Sequence, residues 1–417
     1  MKKSSGPVPD FSLAEAARKQ FMDEQATLSL PDFSDTEQTF KHLDDDELRR
    51  VRWLFRLMGH ESLTKIMSSL GVGAVNLGLP GAAWMVRNTI YKQFVGGTSL
   101  VSALPSIEAL AKSQVTSILD YGAEAKNSEA DYNHFMKEVL RAIEFSAEAP
   151  AAVAAVVKVT GLAPDDMLAR LNPTQIDFDA DDPELQATLR RLDAICGQAE
   201  KLSVQVYIDA EESWLQNTID QLADRMMARY NTKRVTVLNT FQLYRHDRLA
   251  FLQASHERAV KGGYRLGAKL VRGAYMIKEN ARAAAMGYAT PIQATLAATH
   301  RDYNAAVRFC ADNILTVGCC IATHNEASTR LMTELMAEKE IPRNHSNIQF
   351  AQLLGMSDNL TFNLAAGGYN VSKYMVYGPV QEVLPYLVRR AQENSSVTGE
   401  MGRELRMIET ELARRQG

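Results

Sequence analysis

Cysteine is scarce in this chain of 417 residues: there are four, and no two of them are spaced as a CxxC pair. Cys319 and Cys320 are adjacent within an apolar, strand-like run, so we expect buried thiols in a reducing compartment rather than disulfides. The histidines His324 and His345 stand apart from cysteines and from paired carboxylates. The sequence therefore predicts no metal site, and no GxSxG or Cys-His pattern indicates a covalent nucleophile.

The chain also has no uninterrupted apolar run of the kind that spans a membrane. Its most apolar window, residues 63–86, is broken by Lys65, Asn76 and Pro80, which favours helix, break and helix in an arm. The basic tip at residues 1–7 is not followed by the apolar core of a signal peptide, and the acidic residues behind it do not suit a transit peptide. We therefore predict a cytoplasmic location.

Neither sign of charge is in large excess, because 46 basic residues stand against 50 acidic ones. The resulting net charge of −4 argues against nucleic-acid binding as the main function. A (βα)8 barrel needs roughly 250 residues, so the length and the hydrophobic content of this chain suit one large barrel with additional helices.

From about residue 111 short apolar runs alternate with longer helical patterns. This alternation predicts an α/β fold, a (βα)8 TIM-like barrel over 111–396, with an N-terminal helical arm at 1–110 and a C-terminal helical tail at 397–417. The stretch 357–372 shows no regular pattern. The predicted strands are 115–120, 154–160, 204–209, 235–241, 268–271, 319–323, 348–352 and 374–377. The predicted helices include 44–58, 132–145, 214–230, 248–261, 303–311, 384–393 and 400–414.

Polar side chains stand where the predicted strands end, and the C-terminal ends of barrel strands are where barrel enzymes carry their chemistry. Each residue alone has a structural explanation, since an aspartate at such a position is often a helix N-cap. Lys158 differs because it lies within the apolar run 151–159, where a lysine needs a carboxylate partner or must extend its amine to solvent. The strand-end residues include Asp120, Glu124, Lys158, Asp209, Gln242, Lys269, Thr323, His324, Asn325 and Tyr377.

Two adjacent arginines, Arg389 and Arg390, lie on the last predicted barrel helix. Guanidinium groups bind carboxylates with two parallel hydrogen bonds, so the pair could hold one small carboxylate substrate. Glu393 stands one helical turn further on, and an ordinary ion pair along the helix is the alternative explanation.

Together these residues resemble the proline dehydrogenase family, in its monofunctional, mitochondrial-type branch. The resemblance covers roughly residues 111–396. It rests on Lys158 in Val-Lys-Val-Thr-Gly, Ile208-Asp209-Ala210-Glu211-Glu212, Asn239-Thr240-Phe241-Gln242, Leu270-Val271-Arg272-Gly273-Ala274-Tyr275, Ala322-Thr323-His324-Asn325, Gln352-Leu353-Leu354-Gly355-Met356 and Tyr386-Leu387-Val388-Arg389-Arg390.

The resemblance implies an FAD-dependent oxidoreductase of proline catabolism, which oxidises L-proline to 1-pyrroline-5-carboxylate by hydride transfer to flavin N5. It also implies a quinone acceptor and peripheral contact with the inner membrane. FAD binds such a barrel without a Rossmann loop, consistent with the incomplete glycine motif Gly71-Val72-Gly73. The implied substrate residues are Lys158, Asp120, Tyr275, Leu354, Tyr377, Arg389 and Arg390. The implied FAD residues are Glu124, Asp209, Gln242, Lys269, Val271, Gly273, Ala274, Met276, Thr323, His324, Asn325 and Glu393.

Two positions carry expectations of their own. Lys269 stands where the bacterial fused branch has an arginine, so it can donate near the flavin but cannot form a two-pronged contact. Tyr377 matches a tyrosine that packs on the proline ring, whereas hydroxyproline-oxidising relatives have a small residue there. The alternatives are another flavin barrel, of the hydroxyproline or methylenetetrahydrofolate type, and a helical scaffold protein.

Overall fold

The computed structural model describes residues 29–58, 87–122, 128–396 and 400–416. The predictions for the N-terminal tip, for the apolar window 63–86 and for Glu124 lie outside these residues.

A closed parallel barrel forms the centre of the described structure. Eight strands, β2 to β9, pair in chain order, and β9 pairs with both β8 and β2 to complete the circle. The predicted (βα)8 fold is confirmed, and each of the eight predicted runs overlaps a barrel strand. The strands are β1 Val95–Gly97, β2 Thr116–Tyr121, β3 Ala152–Val157, β4 Gln205–Ile208, β5 Val237–Gln242, β6 Leu266–Val271, β7 Val317–Ala322, β8 Ile348–Leu353 and β9 Val371–Tyr377.

Helices surround the barrel and extend from both of its chain ends. The described helices are α1 Thr36–Phe40, α2 Asp45–Met58, α3 Lys92–Phe94, α4 Leu100–Ala111, α5 Glu129–Glu148, α6 Asp165–Leu171, α7 Pro183–Leu202, α8 Ser213–Tyr230, α9 Arg248–Gly262, α10 Met276–Met286, α11 Leu296–Asp312, α12 Glu326–Glu338, α13 Asp358–Ala366, α14 Val380–Ser396 and α15 Glu400–Gln416. A short π-helical segment, Arg87–Tyr91, precedes α3.

The stretch 357–372 is not irregular throughout, because it contains helix α13. Seven consecutive residues of this helix, Asn359 to Ala365, are buried. A helix that is buried on all sides lacks the alternation of apolar and polar faces that marks a surface helix, so the pattern gave no helical signal.

The arm and the C-terminal helix pack onto the barrel and onto each other. Strand β1 adds to the barrel sheet beside β9, so the arm is not purely helical. Phe33 is fully buried, and the Asn359 side chain of α13 donates to its carbonyl at 3.2 Å. Glu411 of α15 accepts from Thr36 at 3.1 Å and pairs with Arg414 and Arg415.

The four cysteines are free and buried, as the sequence predicted. Within the described residues, no helix combines the length and the apolar character that crossing a membrane requires.

Candidate active site

Two layers of side chains fill the inside of the barrel. The lower layer is apolar, with Ile118, Ala154, Val156, Tyr207, Leu238 and Cys320. The upper layer, at the C-terminal ends of the strands, is polar and charged. Lys269 pairs in register with Cys320, and Tyr374 with Ile118, so both long side chains start in the lower layer and extend toward the mouth. The polar layer contains Asp120, Lys158, Asp209, Gln242, Lys269 and Tyr374.

Lys158 and Asp120 form the first ion pair of the mouth, through the Lys158 ammonium and Asp120 Oδ1. Strand β3 ends at Val157, one residue before Lys158, so the lysine begins the turn beyond the strand. Burial raises the pKa of Asp120, opposed by the lysine. Burial would lower the pKa of Lys158, but Asp120 and Asp209 hold it above its ordinary value. The predicted carboxylate partner of Lys158 is therefore present.

Lys269 and Asp209 form the second pair, and Tyr374 joins it. The Lys269 ammonium contacts Asp209 Oδ1, and the Tyr374 hydroxyl donates to Asp209 Oδ2 at 2.7 Å. The same ammonium lies 5.2 Å from the centre of the Tyr374 ring. Burial alone would raise the pKa of Asp209, but Lys269 and Lys158 hold it below its ordinary value. Asp209 is thus a carboxylate held charged by two cations.

A third carboxyl, Glu211, links the ends of three strands. Its side chain accepts from the Thr160 amide at 3.1 Å and from the Thr160 hydroxyl at 2.7 Å. Its backbone carbonyl accepts from Gln242 Nε2 at 2.9 Å. Burial raises the pKa of Glu211 to about 7. The turn after Lys158 and the side chain of Gln242 are therefore held by one residue.

The segment after β6 forms an open edge of the mouth. Val271 pairs in register with Gln242, which places both on the inner face. Gly273 and Ala274 are exposed, and Tyr275 precedes helix α10, whose first residue, Met276, is 52% exposed. Burial and the carboxyls of Glu211 and Glu212 raise the pKa of Tyr275 well above its ordinary value.

The segment after β7 is held by Arg272 and by the start of helix α12. Arg272 donates to the Thr323 hydroxyl at 2.6 Å, and Asn325 caps α12 by accepting from Ser328. His324 is half-buried, with Nδ1 2.9 Å from the Ser357 hydroxyl. Burial, together with nearby cations, lowers the pKa of His324 to about 3, so the imidazole is neutral at physiological pH.

The two arginines of α14 act on residues at the ends of different strands. Arg390 is buried, and its guanidinium carbon lies 5.3 Å from the Tyr386 ring centre. Its charge contributes to the lowered pKa of His324, after β7, whereas the charge of Arg389 acts on the pKa of Tyr275, after β6. Glu393 lies on the same helix, and its side chain is outside the description.

The structure does not place Tyr377 among these residues. Tyr121 and Tyr377 are register partners, and their rings pack 5.6 Å apart in the core between strands and helices. Side chains along a strand alternate between faces, so residues 374 and 377 point to opposite sides of the sheet. The tyrosine of β9 that faces the mouth is Tyr374, which the sequence analysis did not assign.

Leu354 also faces away from the barrel mouth. Its side chain packs against the core outside the barrel, while Leu353 pairs in register with the inward-facing Tyr374. Leu353 is therefore the leucine on the inner face. The sequences of β8, IQFAQL, and β9, VSKYMVY, do not alternate between polar and apolar residues, so their pattern did not identify Leu353 and Tyr374 as the inward-facing residues.

The mouth suits a flavin ring. The pyrimidine part of a flavin offers both a hydrogen-bond donor and acceptors. Gln242 Oε1 is buried and accepts no hydrogen bond from any described residue, so it is available as an acceptor toward the mouth. Lys269 supplies a cationic donor, and the backbone at Gly273 and Ala274 is open to solvent. These residues fit the predicted cofactor.

Comparison with known proteins agrees with the sequence resemblance. A model of the proline dehydrogenase family matches residues 103–403. Proline dehydrogenase 1, mitochondrial, from Drosophila melanogaster is 39% identical over 237 residues, which cover 54% of this chain and 35% of the relative. Hydroxyproline dehydrogenase from Xenopus laevis is 30% identical over 414 residues, which cover 90% of this chain and 88% of the relative.

Among solved structures, proline utilization A from Bdellovibrio bacteriovorus, inactivated by N-propargylglycine, has the same fold. The TM-score is 0.67 at 19% identity, with 94% of this chain and 42% of that chain covered. The chain spans 35% of the length of the Drosophila relative, so what that whole protein does is not transferred from the match alone.

Proposed function

Because the chain belongs to the proline dehydrogenase family, we propose that it oxidises L-proline to 1-pyrroline-5-carboxylate with bound FAD. The observation that carries this proposal is the polar layer of the barrel mouth, where Lys158 and Lys269 pair with Asp120 and Asp209 beside an available glutamine oxygen. A small zwitterionic substrate needs cations for its carboxylate and a closed, partly apolar space for its ring.

We assign the substrate carboxylate to Arg389 and Arg390, with Lys158 assisting. Two guanidinium groups and an ammonium can fix one carboxylate from several directions, which orients the ring over the cofactor. Tyr374 and Leu353, rather than Tyr377 and Leu354, would contact the pyrrolidine ring. Asp120 would keep Lys158 protonated, since the two are paired.

Bound FAD would supply the acceptor for the hydride from the ring carbon next to nitrogen. Lys269 would stand beside the flavin, where a cation stabilises the charge that develops on reduction. Asp209 holds that ammonium in place and accepts from Tyr374, so cofactor and substrate residues share one carboxylate. Gln242, Val271, Gly273, Ala274, Met276, Thr323, His324, Asn325, Glu124 and Glu393 are the further FAD residues that we propose.

A quinone acceptor and peripheral membrane contact belong to the same proposal and rest on the family resemblance. The cytoplasmic location remains a prediction from the sequence. Hydroxyproline is the second candidate substrate, because a hydroxyproline dehydrogenase matches 90% of the chain. We favour proline because the Tyr374 phenol fills space at the mouth and its hydroxyl is already bonded to Asp209. A 4-hydroxyl group would lose water there with little compensation.

The test begins with the purified protein and its absorption spectrum. We expect a flavin spectrum that L-proline bleaches under anaerobic conditions, and slower bleaching with trans-4-hydroxy-L-proline. Arg389→Met and Arg390→Met should each raise the KM for proline while flavin stays bound, because each lost charged hydrogen bond is worth roughly 1.5–3 kcal/mol. A colourless protein that does not respond to proline would support the scaffold alternative instead.

A further inference from the structure

A short loop, residues 354–357, connects β8 to α13 beside the barrel mouth. It follows Leu353 directly, and the Leu354 amide donates to the Tyr374 carbonyl at 3.0 Å. Gly355 has a φ of 77° and Ser357 a φ of 50°, so two of its four residues adopt the left-handed conformation. Serine adopts this conformation at a cost, which other contacts of the loop must offset.

Lys373 holds the loop from the barrel side. This lysine of β9 is only 1% exposed and points away from the mouth, toward α13. Its ammonium donates to the Met356 carbonyl at 2.6 Å and lies 2.7 Å from Asp358 Oδ1. A lysine buried to this degree is costly without partners, and both of its partners belong to the loop or to the first residue after it.

The arm and the C-terminal helix hold the loop from the outside. The Ser357 amide donates to the Glu404 carboxylate of α15. Gln93 donates to the Gly355 carbonyl at 3.3 Å, and a Cβ atom on Gly355 would lie 2.2 Å from the Gln93 carbonyl oxygen. Met356 packs into an apolar cluster made by the arm, β9 and α14, with Leu54, Met58, Tyr91, Phe94, Val376 and Tyr386 among its members.

The loop in turn contacts the mouth through His324. The Ser357 hydroxyl lies 2.9 Å from His324 Nδ1, while the Ser357 amide is bound by Glu404. A chain of contacts therefore runs from α15, outside the barrel, through Ser357 to an imidazole beside Arg390. Glu404 lies just beyond the matched region, which ends at residue 403.

We propose that Glu404 is a positioning residue for the active site: it fixes Ser357, and through Ser357 the orientation of His324 and of the loop that follows Leu353. Lys373 is the second anchor of the same loop. Helix α15 then helps to position active-site residues and is more than a C-terminal extension of the barrel. This inference rests on the proposed function, since it assumes that His324 and Leu353 border the reacting molecules.

Glu404→Ala removes the acceptor for the Ser357 amide, and Glu404→Gln keeps it, because the amide oxygen can still accept. The matched control is Glu409→Ala on the same helix, which breaks an exposed ion pair with Arg56 and does not involve the loop. Small displacements at a reacting centre are costly, so we expect about a tenfold lower kcat/KM in Glu404→Ala. Glu404→Gln and Glu409→Ala should stay near the parent.

Ser357→Gly provides a second route that does not depend on α15. Glycine suits the φ of 50° at this position, so the variant should fold, yet it lacks the hydroxyl that contacts His324. We expect the same loss of kcat/KM, with a shifted flavin absorption band and a melting temperature close to that of Glu409→Ala. A lower kcat/KM and a shifted flavin band at an unchanged melting temperature would not be expected if Ser357 contributed only to stability.

The inference is overturned if Glu404→Ala and Ser357→Gly match the Glu409→Ala control in kinetics and spectrum while the parent oxidises proline. A parent that neither binds flavin nor responds to proline would instead reject the proposed function. The two failures are therefore distinguishable in one set of measurements.

Discussion

The barrel mouth contains two lysine–aspartate pairs that differ in their surroundings. In the pair Lys158–Asp120 the lysine is the more exposed partner, with 26% of its side chain accessible against 5% for the aspartate. In the pair Lys269–Asp209 the order is reversed, at 5% and 19%. Burial raises the pKa of Asp120, whereas Lys269 and Lys158 overcome burial and lower the pKa of Asp209.

The difference lies in how many donors each carboxylate has. Asp209 receives the Lys269 ammonium and the Tyr374 hydroxyl, and the Lys158 charge acts on it as well. Asp120 contacts Lys158 and is repelled by Asp209. The Lys269–Asp209 pair is thus the more firmly held unit, whereas the Lys158 ammonium is the more accessible of the two. Under the proposed function, that accessible ammonium would meet the substrate carboxylate.

The largest expected effect comes from breaking the more firmly held pair. Asp209→Asn leaves the buried Lys269 ammonium without a carboxylate, and breaking a buried pair costs about 3–5 kcal/mol of unfolding free energy. Asp120→Asn should cost about 1–2 kcal/mol, because Lys158 can turn toward water. Urea unfolding of both variants measures the difference. Equal losses would mean that the two pairs are equivalent.

Glu211 is a third buried carboxyl. It differs from the two aspartates because it accepts hydrogen bonds from the Thr160 amide and hydroxyl and forms no ion pair with any described lysine. Its pKa of about 7 exceeds the ordinary 4.5, so the folded protein binds this proton more tightly than the unfolded chain. The unfolding free energy of the parent should therefore fall as the pH rises from 4.5 to 7. Relative to Glu211→Gln, which does not titrate, the fall should be about 3 kcal/mol. If the unfolding free energies of parent and variant changed in parallel between pH 4.5 and 7, the raised pKa of Glu211 would be contradicted.

Removing each lysine should separate substrate capture from flavin chemistry. We expect Lys269→Met to lower kcat and the flavin reduction potential, because a nearby cation favours the reduced, charged form. Lys158→Met should mainly raise the KM for proline, by the roughly 1.5–3 kcal/mol of a charged hydrogen bond. Steady-state kinetics and a potential titration test both, with Lys269→Arg as the charge-retaining control. A potential unchanged in Lys269→Met would place that lysine away from the flavin.

The smallest effect concerns the two tyrosines of β9. Tyr374→Phe removes a donor to the charged Asp209 and should cost about 1.5 kcal/mol of unfolding free energy. Tyr377→Phe should be close to neutral, since the buried Tyr377 hydroxyl has no hydrogen-bond partner among the described residues. Thermal unfolding of the two variants gives the comparison. A larger loss in Tyr377→Phe would mean that its hydroxyl is bonded after all.

The fold could be predicted from sequence because several barrel strands contain short apolar runs and are separated by helical patterns; Val317–Ala322, followed by the polar Thr323, is the clearest example. The strand-end rule brought together Asp120, Lys158, Asp209 and Lys269, since parallel strands end at one rim. Their pairing depends on which strands are neighbours and on side-chain length. A sequence read strand by strand does not contain that information.

The errors at Leu354 and Tyr377 have a different cause. Both lie one or three residues from the inward-facing position, and a shift by an odd number of residues reverses the face of a strand. The sequence did not indicate that Lys373 is buried, because a lysine in a strand usually faces solvent. In the structure helix α13 covers this lysine. Burial by a distant segment is a property of the assembled fold.

The contacts between the arm and α15 have a consequence for how the chain is made. Thr36 and Glu411 are hydrogen-bonded across 375 positions, and Tyr91 reaches the Gly378 carbonyl across 287. During synthesis the arm leaves the ribosome long before α15 and the end of β9 are made, so its native contacts cannot form until those segments have been synthesised. Such distant pairings slow folding, because the loops that they close are costly in entropy. The arm therefore leaves the ribosome before the barrel, yet it is among the last segments to find its native contacts.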